Sequence, residues 1–137
     1  MRKTLSVVIL VALFLVNGID AAAASGTITK YLNADHGKAT ALMNYKFTAK
    51  LLGKDKADAS TSLTKNKGGY RAAVRLEGCD SKGTIIDYVY VSDGTAAKTG
   101  EMSFKDVASF RSRHSIDEFD SNYNYVEVEA DSIFKHE

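Results

Sequence analysis

Gly69-Tyr70-Arg71-Ala72-Ala73-Val74-Arg75-Leu76-Glu77-Gly78-Cys79-Asp80-Ser81-Lys82-Gly83-Thr84-Ile85-Ile86-Asp87-Tyr88-Val89-Tyr90-Val91 is the stretch whose reading decides the fold. At its start, Tyr70, Ala72, Val74 and Leu76 fall on one side, and Arg71, Ala73 and Arg75 on the other. A period of two is that of a half-buried strand, because successive side chains of an extended chain point to opposite faces. Gly78 to Gly83 is a polar connection with glycine at both ends, and Thr84 to Val91 is dense in β-branched and aromatic residues. The two arms predict a β-hairpin.

The same pattern extends to either side. Gly26 to Leu32 alternates and is closed by the turn-rich Asn33-Ala34-Asp35-His36-Gly37. Ala39 to Leu52 places Ala41, Met43, Tyr45, Phe47, Ala49 and Leu51 on one face and Lys46, Thr48 and Lys50 on the other, which predicts a long strand ending at Gly53. Lys54 to Asp58 reads as a loop, Ala59 to Thr64 as a weak strand, and Lys65 to Gly69 as the turn into the central hairpin. Beyond Asp93-Gly94 the signal weakens: Ala96 to Phe104 predicts a further strand and Ser103 to Phe110 a helical start, with Ser103 three residues before Asp106. Arg111 to Asp120 reads as irregular, and Tyr123 to Ala130 as the last strand, with Val126, Val128 and Ala130 inward and Tyr125, Glu127 and Glu129 outward. The chain contains no proline. About six or seven short strands with little helix predict an all-β fold, a small antiparallel β-sandwich.

Met1-Arg2-Lys3 followed by the apolar run Leu5 to Val16, the break Asn17-Gly18 and the small residues Ala21 to Ala24 have the order of a secretory signal peptide. The run is short of the roughly 20 apolar residues that a spanning helix needs. The expectation is a leader over residues 1–23 and one secreted domain over residues 24–137, which leaves 114 residues, enough for one core. No later stretch predicts a membrane span. Residues 24–83 carry 11 Lys/Arg against 5 Asp/Glu, and residues 84–137 carry 5 against 11. One reading has the two halves neutralising each other across a single domain, since strands of opposite charge pair favourably. The other is a polar molecule with a basic face for anionic cell-wall or membrane surfaces. Net neutrality of the 114-residue chain argues against non-specific nucleic-acid binding.

Cys79 is the single cysteine, so no internal disulfide forms and the core alone must stabilise the domain. Its place in the hairpin connection predicts exposure. An exposed odd thiol in an oxidising compartment is a candidate for intermolecular pairing, and an incidental small turn residue is the plainer alternative. A monomer or a weak homodimer, joined through Cys79 or a sheet edge, is expected. His36, His114 and His136 have no metal-ligand spacing, and no metal or other cofactor is implied. Asp35-His36 and Arg113-His114-Ser115 carry residue types of a hydrolytic triad, but no glycine-framed serine accompanies them, so no catalytic residue is assigned. Asp120 to Asn124 has oxygen ligands at alternate positions and Asp131 follows at the twelfth, yet Tyr125 stands where a calcium loop needs glycine.

Tyrosine is frequent, with 7 in the chain, and its flat apolar ring with a polar tip suits contact with a partner or a sugar. The alternative is cross-strand aromatic pairing within the sheet. The candidate contacts are Lys46, Lys50, Tyr70, Arg71, Arg75, Tyr88, Tyr90, Tyr123 and Tyr125.

The segment from about Tyr45 to Val91 resembles the lactococcin-972-like bacteriocin family. The likeness rests on the Phe47-Thr48-Ala49-Lys50-Leu51 strand, the Gly/Lys/Asp-rich loop after it, the Gly69-Tyr70-Arg71-Ala72-Ala73-Val74 strand and the aromatic strand Asp87-Tyr88-Val89-Tyr90. It covers less than half of the chain beyond the leader, tryptophan is absent, and the acidic region after Gly94 has no counterpart in it. The resemblance implies a small secreted β-sandwich, non-enzymatic and antibacterial, acting on the cell envelope of related bacteria. An extracellular structural, adhesive or inhibitor module that binds protein or glycan is the second reading.

Overall fold

The computed structural model describes residues 10–15, 23–34, 37–49, 52–66, 68–116 and 125–134. They form ten strands: β1 (Leu10–Leu15), β2 (Ala23–Ala34), β3 (Gly37–Thr48), β4 (Asp55–Asn66), β5 (Ala72–Cys79), β6 (Ile85–Asp93), β7 (Ala96–Lys98), β8 (Met102–Phe104), β9 (Ser109–Ile116) and β10 (Tyr125–Asp131). Every pairing is antiparallel. The first sheet runs β1-β2-β3-β4-β7 with β8 also on β4, the second runs β10-β9-β5-β6, and the two face each other as a β-sandwich. No described residue is helical.

The expected hairpin is β5-β6, and β5 lies inside the second sheet with β6 on one side and β9 on the other. Its inward residues Ala72, Val74 and Leu76 are fully buried and meet Met43, Phe47, Ala57 and Ala59 of the facing sheet. Phe47 stacks on Phe110 at 5.2 Å, and Phe104 meets the same ring edge-on at 5.4 Å. A second cluster joins Leu32, Ala39 and Ala41 to Ile116 and Val126. Burial of such side chains stabilises by roughly 25 cal/mol per Å² of apolar surface.

Four expectations change. Ser103 to Phe110 makes no helix: Met102–Phe104 is a short strand on β4, and the bend after it is held by the buried Asp55 carboxylate, which accepts from the backbone N–H groups of Thr48 (2.7 Å) and Val107 (3.0 Å). Arg111 to Ile116 is regular and belongs to β9, an inner strand of the second sheet. Gly78 lies within β5, and the turn proper is Asp80 to Gly83. There Asp80 Oδ1 accepts from the backbone N–H groups of Lys82 and Thr84, both at 2.9 Å, and Gly83 takes the positive φ of 79° that a side chain would resist. Asp55 to Asp58, read as loop, opens β4.

The backbone of β1 lies antiparallel beside β2, from Leu10 opposite Thr29 to Leu15 opposite Ala24. These residues belong to the expected leader, so its removal would leave β2 at the edge of the first sheet. No helix among the described residues is long and apolar enough to cross a membrane.

Candidate functional site

The register of the second sheet dictates what its outer face displays. Residues directly opposite on neighbouring strands share a face, so Glu127, Arg113, Arg75 and Tyr90 form one row across β10, β9, β5 and β6. Glu129, Arg111, Glu77 and Tyr88 form the next row, and Tyr125, Ser115, Ala73 and Ser92 the row on the other side. Strand alternation alone therefore gathers three arginines, three glutamates and three tyrosines on one face.

The charges there are ordered by pairing. Glu77 is 1% exposed and sits between two arginines, with Oε1 2.7 Å from Arg75 Nε and Oε2 2.7 Å from both Nε and Nη2 of Arg111. The Arg75 contact has the distance of an ion pair but not the direction of a hydrogen bond. The hydrogen bond to Glu77 pushes the Arg111 pKa further up. Arg113 Nε donates to Glu127 Oε2 at 3.0 Å. The Arg75 guanidinium also lies 4.2 Å from the centre of the Tyr88 ring, and that of Arg113 5.8 Å from Tyr125, both within cation–π range.

Between these groups is a shallow depression of about 190 Å³, lined by Arg75, Tyr90, Arg113, Ser115 and Tyr125 with Ala73 and Val74 as part of its wall. Arg75 and Arg113 are directly opposite one another in it. Like charges at opposed positions repel, and here each guanidinium group is held by its own carboxylate, Arg75 by Glu77 and Arg113 by Glu127, between the rings of Tyr90 and Tyr125.

The sequence candidates divide. Arg75, Tyr88, Tyr90 and Tyr125 come together on this face. Arg71 is beside it, donating through Nη2 to the Ser92 carbonyl at 3.3 Å. Tyr70 packs instead against the second core cluster. Lys46 lies on the outer face of the opposite sheet, across from Lys56. Lys50 and Tyr123 lie outside the described residues, as do His36, His136 and Asp120 to Asn124. Cys79 is corrected outright: it ends β5 opposite Ser109, is 1% exposed, and burial raises its pKa, so it cannot meet a second molecule's thiol in the folded chain. Arg111, Arg113 and Glu77 were missed as members of the face. Phe110, Arg111, Ser112, Arg113, His114, Ser115 and Ile116 do alternate, but the inward polar pair Ser112 and His114 hides it.

That inward pair has the residue types of a hydrolytic relay. Thr61 Oγ1 donates to the Ala73 carbonyl at 2.8 Å, so it accepts from His114 Nδ1–H at 2.8 Å, and His114 Nε2 in turn accepts from Ser112 Oγ at 2.7 Å. All three side chains are fully buried between the sheets. A substrate has no path to Ser112 in the folded chain, and the group is a polar strut linking β4 to β5 and β9. Neither Ser115 nor Arg113 takes part in it.

The first sheet's outer face carries a larger depression of about 290 Å³ lined by Asn44, Asp58, Ser60, Lys98 and Glu101 among others. Three of the lining residues are engaged: Asn44 Oδ1 accepts from Thr27 Oγ1 (2.6 Å), Asn44 Nδ2 donates to Asp58 Oδ1 (2.9 Å), and Glu101 pairs with Lys56 at 3.3 Å. Among the described residues it has no aromatic wall, and the tyrosine-walled depression is the better candidate despite its smaller volume. No group of three or more potential metal ligands occurs among the described residues. Searches of protein-family models, curated proteins and solved structures find no match to this chain.

Proposed function

We propose that the chain is a secreted, non-enzymatic binding protein that takes an anionic glycan of the bacterial cell envelope on the outer face of the second sheet. The observation that carries this is the opposed pair Arg75 and Arg113 between the rings of Tyr90 and Tyr125. Tyrosine rings offer flat apolar faces to sugar rings, and paired guanidinium groups suit a carboxylate or phosphate through charge-assisted hydrogen bonds. A shallow, open surface suits a polymer better than a small molecule, which is normally enclosed. The likeness of residues 45–91 to secreted bacteriocins points to the same target, with growth inhibition of related bacteria as its consequence.

The experiment is sedimentation of the purified chain with isolated Gram-positive cell walls, before and after removal of their anionic polymers. Binding should fall when those polymers are stripped and when salt is raised. Arg113→Gln and Tyr90→Ala should each weaken it by about tenfold, the loss expected for one charge-assisted hydrogen bond or one stacked ring. Equal binding to stripped walls would overturn the anionic-glycan reading. Protein recovered from culture medium should begin near Ala24, and Met1 on that material would overturn the secretory reading.

A further inference from the structure

We infer that β6 is a self-association edge, along which two copies of this chain join antiparallel with Val89 at the two-fold axis. Among the described residues β6 ends the second sheet, pairing with β5 on one side only. An edge strand presents backbone donors and acceptors that invite another strand unless something blocks them. At the opposite edge of the same sheet Lys30, reaching across from β2, donates its Nζ to the Glu127 carbonyl of β10 at 2.7 Å. β6 carries no lysine, and its Ile86, Tyr88 and Tyr90 are about half exposed.

Two backbone groups of β6 are met by exposed side chains. The Tyr88 N–H donates to the neighbouring Asp87 carboxylate at 2.8 Å, and the Ser92 carbonyl accepts from Arg71. A second strand would supply backbone partners for both. Centring the pair on Val89 aligns the regular part of the strand, Asp87 to Val91, and leaves the bulge at Ile86 outside it. It sets Tyr88 opposite the second copy's Tyr90. Asp87 then faces Val91, so no carboxylate opposes another. Centring it on Tyr90 would set Asp87 against Asp93, a repulsive pair. Burial excludes Cys79 as the link.

The inference does not depend on what the tyrosine–arginine face binds. It does make that face continuous across the axis: the row Arg113, Arg75, Tyr90 runs on into the second copy's Tyr88, Glu77 and Arg111. Two depressions on one rigid surface would raise the avidity for a polymer.

Sedimentation equilibrium of the purified chain over a concentration series tests it. The expected result is a reversible monomer–dimer equilibrium that reducing agent leaves unchanged, with Ile86→Lys weakening it at least tenfold while circular dichroism remains that of the wild type. The double variant Tyr88→Cys, Tyr90→Cys should give a covalent dimer on oxidation, because directly opposed residues of antiparallel strands lie within disulfide reach. A wild type that stays monomeric up to roughly 1 mM, where even a 4 kcal/mol association would show, overturns the inference and leaves the edge to a foreign strand. So does a dimer indifferent to Ile86→Lys. A reversible dimer whose double variant fails to crosslink contradicts the Val89-centred register.

Discussion

His114 shows how one buried side chain can set the pH range of a fold. Burial between the sheets pushes its pKa down from 6.5 to about 4, aided by the Lys30 charge and opposed by a hydrogen bond with the Ser60 backbone. The unfolded chain therefore takes up a proton near pH 6.5 that the folded chain refuses until about pH 4. Since the unfolded state binds more protons in that window, stability is full above pH 6.5 and falls as the pH drops towards 4, by on the order of 3 kcal/mol. Urea titrations at pH 7, 5.5 and 4 should show this decline, and His114→Gln should flatten it while lowering stability at pH 7. An unchanged slope in the variant would assign the acid sensitivity to other groups. Glu77 is the acidic counterpart on the outer face: its carboxylate is buried, and two arginines make that burial tolerable.

At the scale of the element, Gly78 is the instructive position. A Cβ there would come within 2.6 Å of Phe104 Cε1 in the core, so glycine is kept for the close approach of β5 to that ring. Gly78→Ala should destabilise by about 1–3 kcal/mol, the usual effect of overpacking a filled core, measurable as a lower urea midpoint with an unchanged m-value. A neutral result would mean that Phe104 moves aside freely. In the sequence alone this glycine reads as part of the turn, because glycine is ambiguous between turning the chain and admitting a neighbour. Strands with apolar inner faces were legible for the same reason that they fold: Met43, Tyr45 and Phe47 in β3 and Val126, Val128 and Ala130 in β10 repeat at period two. β9 is illegible because its inner face includes Ser112 and His114, whose polarity is satisfied by each other and by Thr61 from another strand. Half of the candidate face was missed with it, since Arg111 and Arg113 acquire meaning only beside Arg75 and Glu77.

Over the whole molecule, the order of the strands binds the early and late parts of the chain together. β9 and β10 complete the sheet that β5 and β6 begin, so the region after residue 95 is no appendage but half of one layer. Ion pairs cross between the two parts at Lys56 with Glu101 and at Arg111 with Glu77. The two outer faces nevertheless differ in kind. The first sheet displays Lys46, Lys56 and a self-satisfied Thr27-Asn44-Asp58 chain, and the second displays arginine and tyrosine around an open depression. The central claim is that the second face, not the first, meets the envelope polymer. Chemical-shift mapping of the isotope-labelled chain during titration with a soluble fragment of an anionic cell-wall glycan tests this most directly. The account predicts shifts concentrated at Ala73, Arg75, Tyr90, Arg113, Ser115 and Tyr125, with Asn44, Lys46 and Lys56 unmoved. Shifts centred on Asn44, Lys46 and Lys56 would contradict it.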